Sequence, residues 1–200
     1  MTGITPPREE EDGVRFGRAL LLATDRPILE TGVEAIVSPA NRRGVMGVGV
    51  AGLVRSVGGI EIEREAMANA PLVLGRSIAT TAGALGEQGV RTIIHAVIAD
   101  ALGSPTREDI VRNATTSALQ EADRRRVRSI AFPPLGAGMA SIGLTSRMVF
   151  AVMIEEIVAH LRRFTSRLER VVLVCRDARE VRELTEVIRD ARSLWDQIRA

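Results

Sequence analysis

Six short apolar runs alternate with longer amphipathic segments, and this alternation limits the folds that the chain can adopt. Most of the runs are apolar at nearly every position, as in strands that helices cover on both faces. The runs are Arg18–Thr24, Ala35–Ser38, Ser77–Thr81, Thr92–Ile98, Ser129–Phe132 and Val171–Cys175. They predict a sheet that is buried between two layers of helices.

The segments between the later runs carry apolar residues at the spacing of a helix, about 3.6 residues per turn. These segments are Thr106–Arg126, Leu144–Phe164 and Ala178–Ile198. Repeated passage from strand to helix predicts a three-layer α/β/α sandwich around a mixed, mostly parallel sheet of about six strands.

The length of 200 residues suits one domain with a short extension. We expect residues 1–16, which are polar and acidic, to form a flexible tail, and residues 17–200 to form one domain that ends in a helix. With one cysteine, Cys175, and two histidines, neither an internal disulfide nor a metal centre is expected, and no cofactor is predicted. The chain has no apolar run that could span a membrane and no signal-peptide pattern, so a cytoplasmic protein is expected.

Two glycine-rich segments each follow a predicted strand and lead into a predicted helix: Ser38–Gly59 and Pro133–Gly143. Open α/β sheets bind ligands at such strand-to-helix turns. Glycine lets the backbone approach a ligand closely, and the N–H groups at a helix start attract anions. Neither segment is a P-loop, because the sequence contains no lysine, and neither has dinucleotide-fingerprint spacing. The pair indicates a diphosphate held between two loops, with plain turns as the alternative.

Five sequence motifs, in order, resemble those of the macrodomain family. EAIVSPANRRGVMGVGVAGLVRSVGG resembles the family's N-P-A-N strand end with its glycine-rich loop and helix. GRSIATTAGAL, RTIIHAVI, SIAFPPLGAGMASIG and VVLVCRD resemble the family's later strands and its second loop. The resemblance covers roughly residues 18–190 and implies binding of ADP-ribose or a related nucleotide, either free or linked to a protein.

The resemblance also implies roles for individual residues, carried over position by position. Asp25 is the candidate acidic residue at the adenine amino group, Arg176 is the candidate side chain that stacks on the base, and Asn41 matches the asparagine at the distal ribose. The first phosphate loop corresponds to Gly47, Gly49 and Val50, and the second corresponds to Leu135, Gly136, Ala137, Gly138 and Met139. Carboxylate, carboxamide and backbone N–H groups suit these roles chemically.

Four positions depart from the family pattern. Ala51 stands where family members that remove ADP-ribose often have aspartate, and a methyl group cannot activate water. Ala140 and Arg176 replace the usual aromatic side chains, and Ser38 replaces the first asparagine of the strand end. No catalytic residue is therefore assigned, and Asn41 is the candidate for positioning water or ribose. We expect a binding domain with slow or absent turnover.

Three other classes of function stay open. The first is an ADP-ribosyl hydrolase in which the substrate itself activates water. The second is a module that binds RNA or poly(ADP-ribose) through two arginine clusters, Arg124–Arg126 with Arg128 and Arg162–Arg163 with Arg167. The third is a structural domain without a ligand. His95 in its apolar strand is expected to be a structural residue bonded to backbone, and Cys175 a buried apolar one.

Overall fold

The computed structural model describes residues 12–137, 143–163 and 165–197, which contain seven strands in one sheet and five α-helices. The strands are β1 (Val14–Phe16), β2 (Ala19–Thr24), β3 (Ala35–Asn41), β4 (Ser77–Thr80), β5 (Thr92–Ala99), β6 (Ser129–Phe132) and β7 (Arg170–Val174). The helices are α1 (Gly49–Gly58), α2 (Ile60–Ala68), α3 (Glu108–Arg124), α4 (Ser146–Leu161) and α5 (Ala178–Gln197). None of the described helices is long and apolar enough to cross a membrane.

The strand order is β1-β2-β7-β6-β3-β5-β4, and the five inner strands are parallel. Only β1 and β4, at the two edges, run antiparallel to their neighbours. A parallel pair of strands requires a crossover that is long enough to hold a helix, and the helices of this chain supply these crossovers. The predicted mixed, mostly parallel α/β/α sandwich is confirmed.

Helices cover both faces of the sheet. On one face α1 and α2 pack through Val54 and Ile62 onto β3 and β5, where Ile36 and Ile93 are fully buried. On the other face α3, α4 and α5 pack onto a larger apolar cluster. Because both faces are covered, the inner strands are apolar at nearly every position, as their sequences indicate.

The N-terminal boundary of the domain is earlier than the sequence predicts. Val14–Phe16 pairs with β2, although it falls in the stretch expected to be a tail. Phe16 is fully buried against Trp195 of α5, with ring centroids 5.4 Å apart, and Arg192 donates to the Arg15 carbonyl. Tertiary packing orders this short strand, and residues 1–11 lie outside the described residues.

Strand β3 continues three residues beyond its predicted end at Ser38, through Pro39 to Asn41. Proline usually ends an inner strand because it has no N–H group to donate. Here β3 pairs with β6 only at Ala35 and Ile36, and beyond them it pairs with β5 alone. The one-sided pairing leaves room for proline, and the strand delivers Asn41 to the edge of the sheet.

His95 lies in the middle of β5 and has no exposed surface. Its Nε2 lies 2.9 Å from the Thr80 Oγ1, so its hydrogen-bond partner is a side chain and not the expected backbone group. Burial lowers the pKa of His95 to about 4, against a weak opposing effect of the Glu65 carboxylate. The imidazole is therefore neutral in the folded protein at neutral pH.

We predict that His95 makes the folded protein less stable as the pH falls from 6.5 towards 4. The unfolded chain takes up the proton near pH 6.5 and the folded chain only near 4, so each pH unit between them removes up to about 1.4 kcal/mol. Urea unfolding as a function of pH measures the slope. His95→Gln should flatten it, because this variant lacks the imidazole that takes up the proton. Parallel curves for the two proteins would contradict the assignment.

Candidate ligand-binding edge

The five parallel strands end at one edge of the sheet, and the predicted site residues follow those ends. Asp25 follows β2, Arg176 lies two residues beyond β7, residues 133–137 follow β6, Asn41 ends β3, and Asp100 follows β5. Along this carboxyl edge the order is therefore Asp25, Arg176, the second glycine-rich loop, Asn41 and Asp100. The fold brings together residues from most of the length of the chain.

The loop between β3 and α1 is held against α2 by two contacts. Gly44 has φ +72°, and a Cβ there would come within 2.9 Å of the Ala66 backbone, so the loop requires glycine for both conformation and space. The Glu63 carboxylate accepts a 2.8 Å hydrogen bond from the Met46 N–H group. Glu63 also pairs with Arg55 of α1 at 2.8 Å. One buried carboxylate therefore fixes both the loop and the helix that follows it.

Helix α1 presents its open N-terminus at the carboxyl edge. Its hydrogen-bond ladder begins with the Gly52 N–H group, which donates to the Val48 carbonyl at 3.1 Å. The N–H groups of Gly49, Val50 and Ala51 precede that bond and have no carbonyl a turn earlier within the helix. No acidic residue lies in the first turn. The helix dipole and these N–H groups together favour an anion here.

The loop after β6 makes a tight turn beside α3. Gly136 has φ +88°, and a Cβ there would collide with the Thr106 methyl group. Leu135 is fully buried in the core, so only its backbone can face a ligand, and Ala137 is half-buried. Three further predicted positions, Gly138, Met139 and Ala140, lie outside the described residues.

Asn41 is buried, and both ends of its carboxamide bond to its own loop. The side-chain NH2 donates to the Val45 carbonyl at 2.8 Å, and the side-chain oxygen accepts from the Arg43 N–H group at 3.0 Å. These bonds order the loop, and each end of the carboxamide retains capacity for one further hydrogen bond. Loop capping and ligand contact are therefore compatible at this residue.

Asp25 and Arg176 follow the ends of the neighbouring strands β2 and β7. The two strand ends are joined by the Cys175 N–H group, which donates to the Thr24 carbonyl at 2.7 Å. Asp25 is exposed, and no side chain in the described part of the chain bonds its carboxylate. Arg176 is exposed, with Nε 3.3 Å from the Asp177 carboxylate. Burial raises the pKa of the Cys175 thiol to about 12, so this cysteine is a protonated, apolar side chain.

Three residues close in sequence to the predicted site, Ser38, His95 and Ala51, are buried, and burial was expected for His95. Ser38 and His95 are register partners on β3 and β5, and both are fully buried. His95 therefore cannot act as a general base at the carboxyl edge. Ala51 lies in the first turn of α1, is 7 % exposed and packs against the core. Across the described residues, no three His, Cys, Asp or Glu side chains cluster as a metal site.

The arginine clusters lie at the opposite edge, where α3 and α4 end and β6 and β7 begin. Arg124 and Arg125 both pair with Glu121, and Arg162 stacks 5.2 Å from the Trp195 ring. Asp123 joins the two clusters because it accepts from the Arg167 N–H group and lies 2.8 Å from His160. Much of this positive charge is thus compensated or used in packing.

Two residues that shape the carboxyl edge were missed by sequence reasoning. Glu63 belongs to an alternating IEIE stretch in α2, and nothing in that pattern predicts its bond to the Met46 N–H group. Asp100 follows Ala99, which is the register partner of Asn41. Only the pairing of β3 with β5 reveals that this carboxylate ends beside the asparagine.

Comparison with known proteins identifies the family to which the chain belongs. The family model described as Macro domain matches residues 37–146. An uncharacterized protein of Aquifex aeolicus is 40 % identical over 162 residues, which cover 80 % of this chain and 93 % of that protein. The chain belongs to the macrodomain family, as its sequence motifs indicate.

Solved structures of macrodomains have the same fold. The Oceanobacillus iheyensis macrodomain with ADP superposes with a TM-score of 0.73 at 20 % identity, covering 92 % of this chain and 96 % of that one. The Trypanosoma brucei macrodomain in complex with ADP-ribose gives 0.70 at 22 % identity, covering 86 % and 68 %. At these identities the likeness concerns the fold.

We predict that Glu63→Gln destabilises the protein by about 1–2 kcal/mol, because it weakens a charge-assisted hydrogen bond and a half-buried ion pair together. Glu61→Gln is the matched control, since Glu61 lies on the same helix and pairs with Arg64 in solvent, with 64 % of its side chain exposed. That change should cost less than about 0.5 kcal/mol. Equal losses in urea unfolding would show that Glu63 does not hold the loop.

Proposed function

We propose that this macrodomain binds ADP-ribose, either free or attached to a protein, along the carboxyl edge of its sheet. The observation that carries the proposal is the open N-terminus of α1, which has no acidic residue in its first turn. This N-terminus lies at the same edge of the sheet as Asp25 and Asn41. The relatives of known structure include macrodomains with ADP and with ADP-ribose, which supports this class of ligand.

The order of groups along the edge suits an extended nucleotide. Three steps between strands separate β2 from β3, roughly 14 Å at about 4.8 Å per step. In the proposed pose the adenine lies at Asp25, the diphosphate lies between the N-terminus of α1 and the turn at Gly136, and the distal ribose lies at Asn41. The Asp25 carboxylate, which no side chain in the described part of the chain bonds, would accept from the adenine amino group.

The base has no aromatic neighbour in this proposal. Arg176 is the side chain that would stack on the adenine, because a planar guanidinium can lie flat on a ring. The Asp177 carboxylate, 3.3 Å from its Nε, would orient the group. The backbone groups at Gly47, Gly49, Val50, Leu135, Gly136 and Ala137 would contact the phosphates, together with Gly138 and Met139, which lie outside the described residues.

We predict that calorimetry detects ADP-ribose binding at least about tenfold tighter than AMP binding, because AMP lacks the second phosphate and the distal ribose. Asp25→Ala should weaken both ligands by about five- to thirtyfold, the value of roughly one charge-assisted hydrogen bond. Asp190→Ala, at an exposed position on α5, is the control and should change neither.

Two outcomes would contradict this proposal. Equal affinity for ADP-ribose and AMP would show that the diphosphate and second ribose are not recognised. Binding of RNA that falls steeply with added salt and is indifferent to ADP-ribose would favour the arginine clusters as the functional surface.

Slow or absent turnover is part of the proposal. A general base contributes about 10²–10⁴-fold, and position 51 offers only a methyl group. Glu63 is committed to the Met46 N–H group and to Arg55. Hydrolysis assisted by the substrate itself is the alternative enzyme mechanism, with Asn41 positioning the water or the ribose.

We predict that the protein releases ADP-ribose from a modified protein slowly, and that Ala51→Asp raises the rate by about 10²-fold or more. Ala51→Asn, which has the same shape without a base, is the control and should stay slow. A fast parent protein that Ala51→Asp leaves unchanged would refute the missing-base argument. Loss of that fast rate in Asp100→Asn would instead identify Asp100 as the base.

A further inference from the structure

A groove opens next to Asn41, on the side of the carboxyl edge away from Asp25. Its volume is about 560 Å³. Its lining residues are Arg42, Arg43, Met67, Ala70, Pro71 and Asp100. Arg42 and Arg43 directly follow Asn41, and the Arg43 N–H group donates to the Asn41 side chain. The groove therefore continues the nucleotide edge beyond the position of the distal ribose.

The floor of this groove is fixed by the backbone. The Arg42 N–H group donates to the Ala99 carbonyl at 3.1 Å, and the Arg42 carbonyl accepts from the Leu72 N–H group at 2.7 Å. The Arg42 Nε donates to the Leu72 carbonyl at 3.2 Å, and its guanidinium lies 3.5 Å from the Asp100 carboxylate. Strand β3, strand β5 and the segment after α2 are thus joined beneath the opening.

The walls of the groove differ in chemistry. Met67 is 47 % exposed and forms an apolar side with Ala70 and Pro71. Arg42 is paired with Asp100, whereas the exposed guanidinium of Arg43 has no partner among the described residues. Among the described residues, the groove therefore offers an apolar surface and one positive charge, that of Arg43, without a compensating carboxylate.

We propose that this groove binds the acceptor segment of an ADP-ribosylated protein, and that it prefers a peptide with acidic residues beside the modified side chain. The inference rests on the proposed function, which places the distal ribose at Asn41. A peptide suits the mixed lining, since its carboxylates can pair with Arg43 and its apolar side chains can contact Met67. A nucleic acid suits it less well, because Asp100 and the apolar wall offer nothing to a row of phosphates.

Calorimetry at low salt with three synthetic ligands tests the proposal. The first is ADP-ribose, and the second is a peptide that carries one ADP-ribosyl group on a stable linkage, with aspartates on both sides of the modified residue. The third is the same peptide with lysines in place of the aspartates. We expect the acidic peptide to bind about three- to tenfold tighter than the lysine peptide, the value of one or two exposed charge contacts. Added salt should reduce this ratio.

Charge variants locate the effect. Arg43→Glu should reverse the preference between the two peptides, and Asp100→Asn should enlarge the preference for the acidic one. Arg182→Glu is the matched control, because Arg182 is exposed on α5 across the sheet, and the ratio should not change. The ratio of the two peptides is informative even where a variant alters the affinity for ADP-ribose itself.

The outcomes separate this inference from the proposed function. If ADP-ribose binds but the two peptides bind equally, the groove is not an acceptor site and the proposed function stands. If an ADP-ribosylated oligonucleotide binds tighter than the acidic peptide, the choice of a peptide acceptor is wrong. If ADP-ribose does not bind at all, the proposed function fails and the acceptor site fails with it.

Discussion

Burial of the five parallel strands on both faces is the constraint on which the rest of the structure depends. Parallel neighbours need helical crossovers, and crossovers that cover both faces leave every strand-to-helix turn at one edge of the sheet. Asp25 and Arg176 become neighbours because the Cys175 N–H group bonds to the Thr24 carbonyl. In the same way, the pairing of β3 with β5 places Asn41 beside Ala99, the residue that Asp100 follows. The order of the strands thus decides which residues meet at the candidate site.

The loops at this edge are ordered by polar contacts, each of which is formed at the boundary of the core. Glu63 accepts from the Met46 N–H group while it pairs with Arg55, and Asn41 bonds to the loop that follows it. A buried carboxylate without these partners would carry a large desolvation cost, so the loop and the carboxylate stabilise each other. The first turn of α1 contains no acidic residue, so no carboxylate of that turn competes for its first N–H groups. Rigid presentation of donors reduces the entropy lost when a ligand binds.

The inner strands could be predicted from sequence because burial on both faces leaves a local signal in each run, and β6 (Ser129–Phe132) has the predicted bounds. Other features depend on contacts distant in sequence. Val14–Phe16 is a strand because Trp195 of α5 covers Phe16. Strand β3 can pass through Pro39 because its pairing with β6 ends at Ile36. The bond from Met46 to Glu63 and the groove beside Arg43 have no local signature. The family motifs supplied the roles proposed for the site, and the physical patterns alone indicated only an anion between two loops.

Binding and turnover place different demands on this edge. Backbone N–H groups and a helix dipole hold a diphosphate equally well before and during cleavage of a bond at the distal ribose, and such uniform binding does not raise the rate of the chemical step. Acceleration needs a group that acts on the water or on the leaving group, and position 51 supplies a buried methyl group. The carboxylate that follows the register partner of Asn41 is Asp100, and it lies 3.5 Å from the Arg42 guanidinium, with which it forms an ion pair. If the proposed function holds, an edge built in this way would favour retention of a modified partner over its release, and a groove selective for the acceptor would serve that retention.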